Sequence, residues 1–276
     1  MMKKIITGVL ILGATNLMAI TNQQMIDSGT KIQEDIFQKY FKVNTNSKMK
    51  KDVNVLSAMY SEILSKMYQQ NRSLYETEFS KAQGKRRSLF REMYAYYTDY
   101  VDEYSKFSKD SLAILLQDQG DFQAYYYTNT YMLLETFNLN MNTYLEALKD
   151  RKTLDENIKT VNNYLYHRGD SKTLEDYEKM SSQEMKAIVD AEYVKLNNKI
   201  DGELIKKTSA GVKQRQGNSI KSSLKRLEKM YDKYDEKFSE YIDGTSLSSQ
   251  EKEKIKKLVK FETISNLKFM TESLGK

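Results

Sequence analysis

The 276-residue chain contains no proline, and this absence limits most strongly what the chain can fold into. Proline averages roughly 5% of residues in soluble proteins, and it ends helices because it lacks a backbone N–H and clashes with the preceding turn. Only 11 residues are glycine, so few turns need a positive φ. Charged residues make up 30% and hydrophobic residues 39%, which favours a folded chain over a disordered one. The composition therefore predicts long helices.

Apolar side chains recur every three or four residues, which is the spacing of one face of an α-helix. The segment 88–104 contains five tyrosines among seventeen residues. Serine or threonine followed three residues later by an acid predicts helix starts at Thr153, Thr173, Ser181 and Ser248. No segment shows sustained alternation of polar and apolar residues, so strands are not expected. The predicted fold is all-α, made of tandem antiparallel helical bundles in two duplicated units without a sheet.

Blocks of the first half recur in the same order in the second half, which is the pattern of a duplicated unit. The middle pair aligns at an offset of 137 residues, and the outer pairs at 133 and near 128. The aligned blocks are 56–67 with 189–200, 92–104 with 229–241, and 134–145 with 261–274. We therefore predict a tandem duplication.

The large apolar residues in and just before the aligned middle blocks follow a 4-3-4-3 spacing, so each set lies on one helical stripe. A buried tyrosine packs its ring and directs its hydroxyl to a polar edge, so we interpret both stripes as core. The stripes are Phe90, Tyr94, Tyr97, Val101 and Tyr104 in the first half and Ile220, Leu224, Leu227, Tyr231, Tyr234, Phe238 and Tyr241 in the second. Tyr96 and Tyr100 lie off the first stripe, where the second half has Lys233 and Lys237, and are predicted to form a partner-binding surface.

The N-terminus has the plan of a secretory signal peptide. Two lysines precede an apolar run from Ile5 to Leu12, and the segment ends in the small residue Ala19. Cleavage is expected after Ala19, with cleavage after Ala14 and retention as an anchor as alternatives. Because no cysteine is present for a lipid anchor, we predict a periplasmic or secreted product without a permanent membrane span.

These signals divide the chain into five predicted segments. They are a signal peptide at 1–19, an N-terminal helix at 20–48, repeat 1 at 49–149, a helical linker at 150–179 with a turn at 167–171, and repeat 2 at 180–276.

Catalytic chemistry has few residues to use in this chain. It contains one histidine, His167, and no cysteine, which removes thiol chemistry, most zinc sites and most nucleophilic triads. The formal charge of +6 comes from interleaved charges of both signs, unlike the clustered basic face of a nucleic-acid-binding protein. We expect no enzyme, cofactor, metal or nucleic acid, and hydrolysis by a pair of carboxylates is the alternative.

A predicted turn contains Arg168, Gly169 and Asp170, the tripeptide that animal integrins bind when a loop displays it. The alternative is an ordinary turn that needs glycine between polar neighbours.

One further pattern of residues occurs in both halves. The positions are Leu56, Tyr60, Tyr94, Tyr97 and Asp99 in the first half and Tyr193, Tyr231, Tyr234 and Glu236 in the second. The pattern resembles that of the LprI-type lysozyme-inhibitor family, in which Leu-Asn-x-x-Tyr is followed by a Trp three residues before an aromatic residue, then Arg and an acid. This chain contains no cysteine and no tryptophan, and neither half has an arginine at the position of the family's arginine. The resemblance implies a helical bundle that inhibits a lysozyme by plugging its cleft.

An inhibitor of a basic lysozyme needs acidic contact residues. Acidic turns follow the tyrosine-rich segments at Asp118 and Asp121 and at Glu240 and Asp243, so we predict a contact there. The predicted function is a secreted or periplasmic helical binding protein that inhibits a lysozyme by protein–protein contact. The alternative is a surface-associated structural protein or adhesin that uses its tyrosine-rich helices or the Arg-Gly-Asp turn.

Overall fold

The computed structural model describes residues 21–42, 53–115, 122–166, 174–205 and 212–274. Within these ranges the chain forms eight α-helices and no strand, so the predicted all-α class is confirmed. The helices are α1 (Asn22–Lys42), α2 (Val53–Lys81), α3 (Gly84–Leu115), α4 (Phe122–Lys149), α5 (Thr153–Tyr166), α6 (Ser182–Lys199), α7 (Val212–Asp243) and α8 (Ser249–Ser273). A 3-10 turn (Leu174–Tyr177) precedes α6, and a π-helical turn (Ile200–Ile205) follows it.

Two of the four predicted helix starts, Ser181 and Ser248, are formed as capping boxes. Helix α5 begins at Thr153, and Thr173 lies outside the described residues. The Ser181 hydroxyl accepts from the backbone N–H of Glu184, and the Glu184 carboxylate accepts from the backbone N–H of Ser181. Ser248 and Glu251 make the same pair of bonds at the start of α8. The hydrogen bond from the serine backbone lowers the pKa of each glutamate, so the charged carboxylate is the form that caps the helix.

The two aromatic stripes pack against each other, because α3 and α7 lie side by side and run antiparallel. Phe90 near the start of α3 lies 5.1 Å from Tyr241 near the end of α7, and Tyr100 lies 5.8 Å from Tyr231 between ring centroids. Every residue of the second stripe is buried, and so is every residue of the first except Tyr94, which is half-buried. The interpretation of the stripes as core is confirmed.

Helices α4 and α8 form the centre of the bundle. Helix α4 packs against α1, α2, α3, α5 and α8, and α8 packs against α4, α5, α6 and α7. Residues 133–147 of α4 are all buried, so this helix has no solvent-facing side over four turns. Its polar side chains must therefore find partners on neighbouring helices.

Within each half, the corresponding two helices are in contact. Helix α2 packs on α4 as α6 packs on α8, and α3 and α7 join the halves. The buried apolar residues of both halves belong to one continuous cluster. The predicted repeats therefore share one core, while the duplication itself stays a prediction.

The predicted linker at 150–179 contributes to the core. Helix α5 packs on α1, α4 and α8, and it buries Leu154, Val161 and Leu165. The predicted signal segment at 1–19 and the Arg168–Asp170 turn lie outside the described residues. In the part of the chain that the structure describes, no helix is both long and apolar enough to cross a membrane.

Candidate functional site

Tyr100 lies in the core, so the prediction that it forms a binding surface is wrong. Its side chain is 4% exposed, and its ring stacks on Tyr234 at 6.0 Å and meets the edge of Tyr104 at 6.4 Å. The reason is that α7 covers the face of α3 that carries Tyr100. Burial raises the pKa of Tyr100 well above its ordinary value, so its hydroxyl is neutral.

Tyr96 is half-buried and has an internal partner. The Lys233 ammonium lies 5.1 Å from the centre of the Tyr96 ring, within range of a cation–π contact. Part of this ring therefore contributes to the α3–α7 contact, and a partner-binding role for Tyr96 stays a prediction.

The acidic last turn of α7 is paired with lysines. Lys237 Nζ lies 2.9 Å from the Glu240 carboxylate, and Lys256 Nζ lies 2.6 Å from that of Asp243. Lys252 donates to the Asp243 carbonyl at 2.9 Å. Because lysines balance both carboxylates, this turn presents little net negative charge to a basic partner. The other two predicted acidic residues, Asp118 and Asp121, lie outside the described residues.

Most positions of the family pattern serve packing. Tyr97, Tyr193, Tyr231 and Tyr234 are buried, and Leu56, Tyr60 and Tyr94 are half-buried. The Tyr94 hydroxyl donates to Asn71 Oδ1 at 2.7 Å, and burial raises the pKa of Tyr94 to about 12. Only Asp99 and Glu236 among these positions are exposed, so they are the pattern residues that a partner can reach in this fold.

Buried amides attach α1 to the centre of the bundle, which the sequence analysis did not predict. The backbone N–H of Asn22 donates to Asn157 Oδ1 at 3.0 Å, and Asn22 Nδ2 donates to Thr143 Oγ1 at 2.8 Å. Asn142 Nδ2 in turn donates to Asn22 Oδ1 at 2.9 Å. Each of these groups is removed from water, so the bonds stabilise one position of α1 against α4 and α5.

A second buried group fixes the middle of α1. The Glu135 carboxylate accepts hydrogen bonds from the hydroxyls of Tyr131, at 2.8 Å, and Tyr164. The Tyr131 hydroxyl accepts from Gln33 Nε2 of α1 at 2.5 Å. Burial and the adjacent Glu135 raise the pKa of Tyr131, so this phenol stays neutral and remains a donor.

An open groove of about 490 Å³ lies between α1 and α2. Met59 and Ile63 form its floor and are 2% and 6% exposed, and the half-buried Tyr60 forms part of one wall. Phe37 lies at the lip with 53% of its surface exposed. The described lining is completed by the polar residues Gln33, Glu34 and Gln38. We call these residues the α1–α2 groove.

A charged contact connects the two helices beside the groove. Lys39 Nζ lies 2.7 Å from a Glu62 oxygen, and the Tyr40 hydroxyl donates to the same carboxylate at 3.1 Å. The hydrogen bond from Lys39 is the main reason that the pKa of Glu62 is lowered. Among the described residues that line the groove itself, Glu34 is the charged one, so the formal charge of the groove wall is negative.

Phe37 differs from the other large apolar side chains that are strongly exposed in the described ranges. These are Tyr68, 40% exposed, and Val194, 58% exposed, and neither lines the groove. Scattered apolar residues are normal on a protein surface, so the position of Phe37 beside an apolar depression is what makes the groove the candidate contact site. The sequence could have identified Phe37, because this large apolar residue falls beside the apolar face of α1 and not within it.

The fold and site define an all-α bundle with an open groove between α1 and α2, and the part of the chain that the structure describes has no group of three metal-ligating side chains. Comparison of the chain with protein-family models, with curated proteins and with solved structures gives no match. The function therefore has to be argued from the site itself.

Proposed function

We propose that this chain is a binding protein that acts by protein–protein contact, and that the α1–α2 groove is its contact surface. The observation that carries the proposal is the Phe37 ring, 53% exposed beside the buried floor of Met59 and Ile63. Burying a fully exposed phenylalanine contributes about 1.5–3 kcal/mol, so covering the exposed half of Phe37 contributes about 0.8–1.6 kcal/mol to the affinity of a partner that fills the groove. Rings that insert into apolar pockets are the usual centres of binding energy at interfaces.

The attachment of α1 supports the proposal. A buried hydrogen bond holds α1 at Asn22, a partly buried one holds it at Gln33, and the Lys39–Glu62 ion pair at the protein surface connects it to α2. A surface that is already ordered loses little conformational entropy when a partner binds, which favours affinity.

A basic lysozyme is the partner that we propose for this surface. The resemblance to the LprI-type family motivates the choice, and the N-terminal segment read as a signal peptide would bring the protein to the compartment where lysozymes act. The negative charge of Glu34 in the groove wall complements a basic enzyme, whereas the turn at Glu240 and Asp243 is balanced by lysines. A surface adhesin that uses the Arg168–Asp170 turn is the alternative function.

The test compares the wild-type protein with Phe37→Ser and with the matched control Val194→Ser, which removes an equally exposed apolar side chain elsewhere. Each protein is titrated against a basic and an acidic lysozyme at low and high salt, and muramidase turnover is measured. We expect wild type and Val194→Ser to slow the basic enzyme near an equimolar ratio, and Phe37→Ser to bind about fourfold to fifteenfold more weakly. No inhibition under any condition would remove lysozyme as the partner, and cell adhesion would then be measured.

A further inference from the structure

We infer that α1 opens as a separate unit: it detaches from the bundle while the other helices stay folded, and its detachment takes the α1–α2 groove apart. Among the described helices, α1 is joined along the chain to one neighbour only, α2. Its departure therefore breaks no other connection in the part of the chain that the structure describes. The opening itself needs no partner, and only its effect on binding rests on the proposed function.

Helix α1 contributes little to the apolar core. Within residues 22–40 the buried apolar side chains are Met25 and Ile36, and Ile26, Ile32 and Tyr40 are half-buried. The last described helix, α8, is also joined to one neighbour only, but it lies in the centre of the bundle. Its buried apolar residues are Ile255, Leu258, Val259, Phe261, Ile264, Leu267 and Met270. Because apolar burial is the main free energy that opposes opening, α1 should open far more readily than α8.

The surface that α1 covers on α4 and α5 carries polar side chains. Hydrogen bonds join Asn22 and Gln33 of α1 to four of them, which are Tyr131, Asn142, Thr143 and Asn157. Gly29 lies against a fifth, since a Cβ on this glycine would be 2.8 Å from Glu135 Oε1. Water can replace α1 as the partner of such groups, so uncovering them costs less than uncovering an apolar face.

The contact between α1 and α2 sets the balance between the docked and open states. Its ion pair, between Lys39 and Glu62, lies at the protein surface, where such pairs contribute little. Opening also uncovers the groove floor of Met59 and Ile63. Exposing these two apolar side chains to water is unfavourable, so the docked state is the major one and the open state is the minor one.

Opening removes one wall of the groove. Phe37 leaves with α1, whereas Met59 and Ile63 stay on α2. The proposed contact surface therefore exists only while α1 is docked, and a partner that binds it would hold α1 in the docked state. Detachment of α1 is thus a device that removes the binding surface without unfolding the protein.

Native-state hydrogen exchange on the full protein tests the inference, under conditions where exchange reports the opening equilibrium and at a series of low urea concentrations. Amides of α1 should exchange about a hundredfold faster than those of α8. Their exchange should also depend less steeply on urea, because opening exposes less surface than global unfolding. Equal rates with equal urea dependence would show that α1 belongs to one cooperative unit with α8, and the inference would be wrong.

Two buried asparagines provide matched variants. Asn22→Ala removes bonds between α1 and the bundle, and Asn71→Ala removes an equally buried amide that bonds to Asn138 and to the Tyr94 hydroxyl. Asn22→Ala should speed exchange about fivefold to a hundredfold in α1, and by a similar factor in α8, because global unfolding includes the opening of α1. Asn71→Ala should speed exchange in α8 alone, because the bonds of Asn71 persist when α1 opens.

The outcomes decide the inference without a partner, so a failure of the proposed function leaves the test unchanged. If Asn71→Ala speeds exchange in α1 as much as in α8, α1 does not open separately and the inference is wrong. If exchange in α1 varies from residue to residue and does not depend on urea, the helix frays locally and does not detach as a unit, which also overturns the inference.

Discussion

The rings of Tyr97 and Tyr234 lie 5.5 Å apart in the α3–α7 contact, and the two residues are 137 positions apart, the offset at which 92–104 aligns with 229–241. Tyr96 and Lys233 have the same offset and also contact each other. Aligned residues meet in this way when two copies are related by a twofold axis, as in an isologous dimer. A duplicated unit whose two copies associate would produce this arrangement, so the contact is consistent with the predicted duplication.

The hydroxyls of two buried tyrosines should differ in their effect on stability. The Tyr97 hydroxyl is buried without a hydrogen-bond partner, so Tyr97→Phe should leave the free energy of unfolding unchanged or raise it by up to about 1 kcal/mol. Tyr241 donates to Glu78 and accepts from Arg86 at 3.0 Å. Tyr241→Phe removes a donor from a buried carboxylate and should lower the free energy of unfolding by about 1–3 kcal/mol. Urea unfolding measures both changes, and equal losses would contradict the prediction.

The ion pair between Lys260 and Asp235 should show strong coupling. Its Nζ–Oδ1 distance is 2.5 Å, and the two side chains are 4% and 11% exposed. Lys260→Met leaves a buried carboxylate unpaired and should lower the free energy of unfolding by about 3–5 kcal/mol. Adding Asp235→Leu should recover most of this loss, because the unpaired charge is then removed.

A double-mutant cycle by urea unfolding measures the coupling between Lys260 and Asp235. Arg72→Met serves as the control, since Arg72 pairs with Glu76 on the surface, with 76% and 59% of the side chains exposed. That change should cost less than about 0.5 kcal/mol. A double variant as unstable as Lys260→Met alone would disprove the interpretation.

The protein should lose stability in alkali because of its buried phenols. Burial raises the pKa well above the ordinary value of 10.0 at Tyr97, Tyr100, Tyr144, Tyr193, Tyr231 and Tyr234. Above pH 10 the unfolded chain releases these protons while the folded chain retains them. The free energy of unfolding is therefore insensitive to these groups below about pH 10 and falls above it by about 1.4 kcal/mol per pH unit for each tyrosine.

Phenolate absorbance and circular dichroism, recorded together during an alkaline titration, measure this effect. Ionisation of the buried tyrosines should coincide with loss of helix in one cooperative step. A phenolate titration that includes every tyrosine and has its midpoint near pH 10, with the helices intact, would show that these tyrosines are accessible to solvent.

Two glycines should respond oppositely to alanine. A Cβ on Gly29 of α1 would lie 2.8 Å from Glu135 Oε1 and 3.2 Å from the Tyr131 hydroxyl, so Gly29→Ala should displace Glu135 and lower the free energy of unfolding by about 1–3 kcal/mol. A Cβ on Gly202 would meet nothing within 4 Å, and Gly202→Ala should stabilise the helix by about 0.5–1 kcal/mol. Thermal unfolding checks both signs, and a stabilised Gly29→Ala would disprove the close approach of α1 to α4.

The successes and errors of the sequence analysis have physical reasons. The stripe containing Tyr97 could be predicted because helical periodicity is a local property of the chain. The burial of Tyr100 could not, since it depends on α7 covering a second face of α3. The groove escaped prediction because Phe37 and its apolar floor lie on different helices, and no local pattern states which helices meet.

The sequence by itself determined that this chain is helical, where several helices start, as at Ser181 and Ser248, and which residues form the aromatic stripes. These features depend on capping, on the absence of proline and on apolar spacing, all of which act over a few residues. Only the tertiary structure decided that α4 is buried on all sides, that Lys237 and Lys256 balance the acidic turn, and that α1 and α2 leave a groove beside Phe37. These features depend on contacts between residues far apart in the chain, and their free energies are set by the side chains that the packed helices bring together.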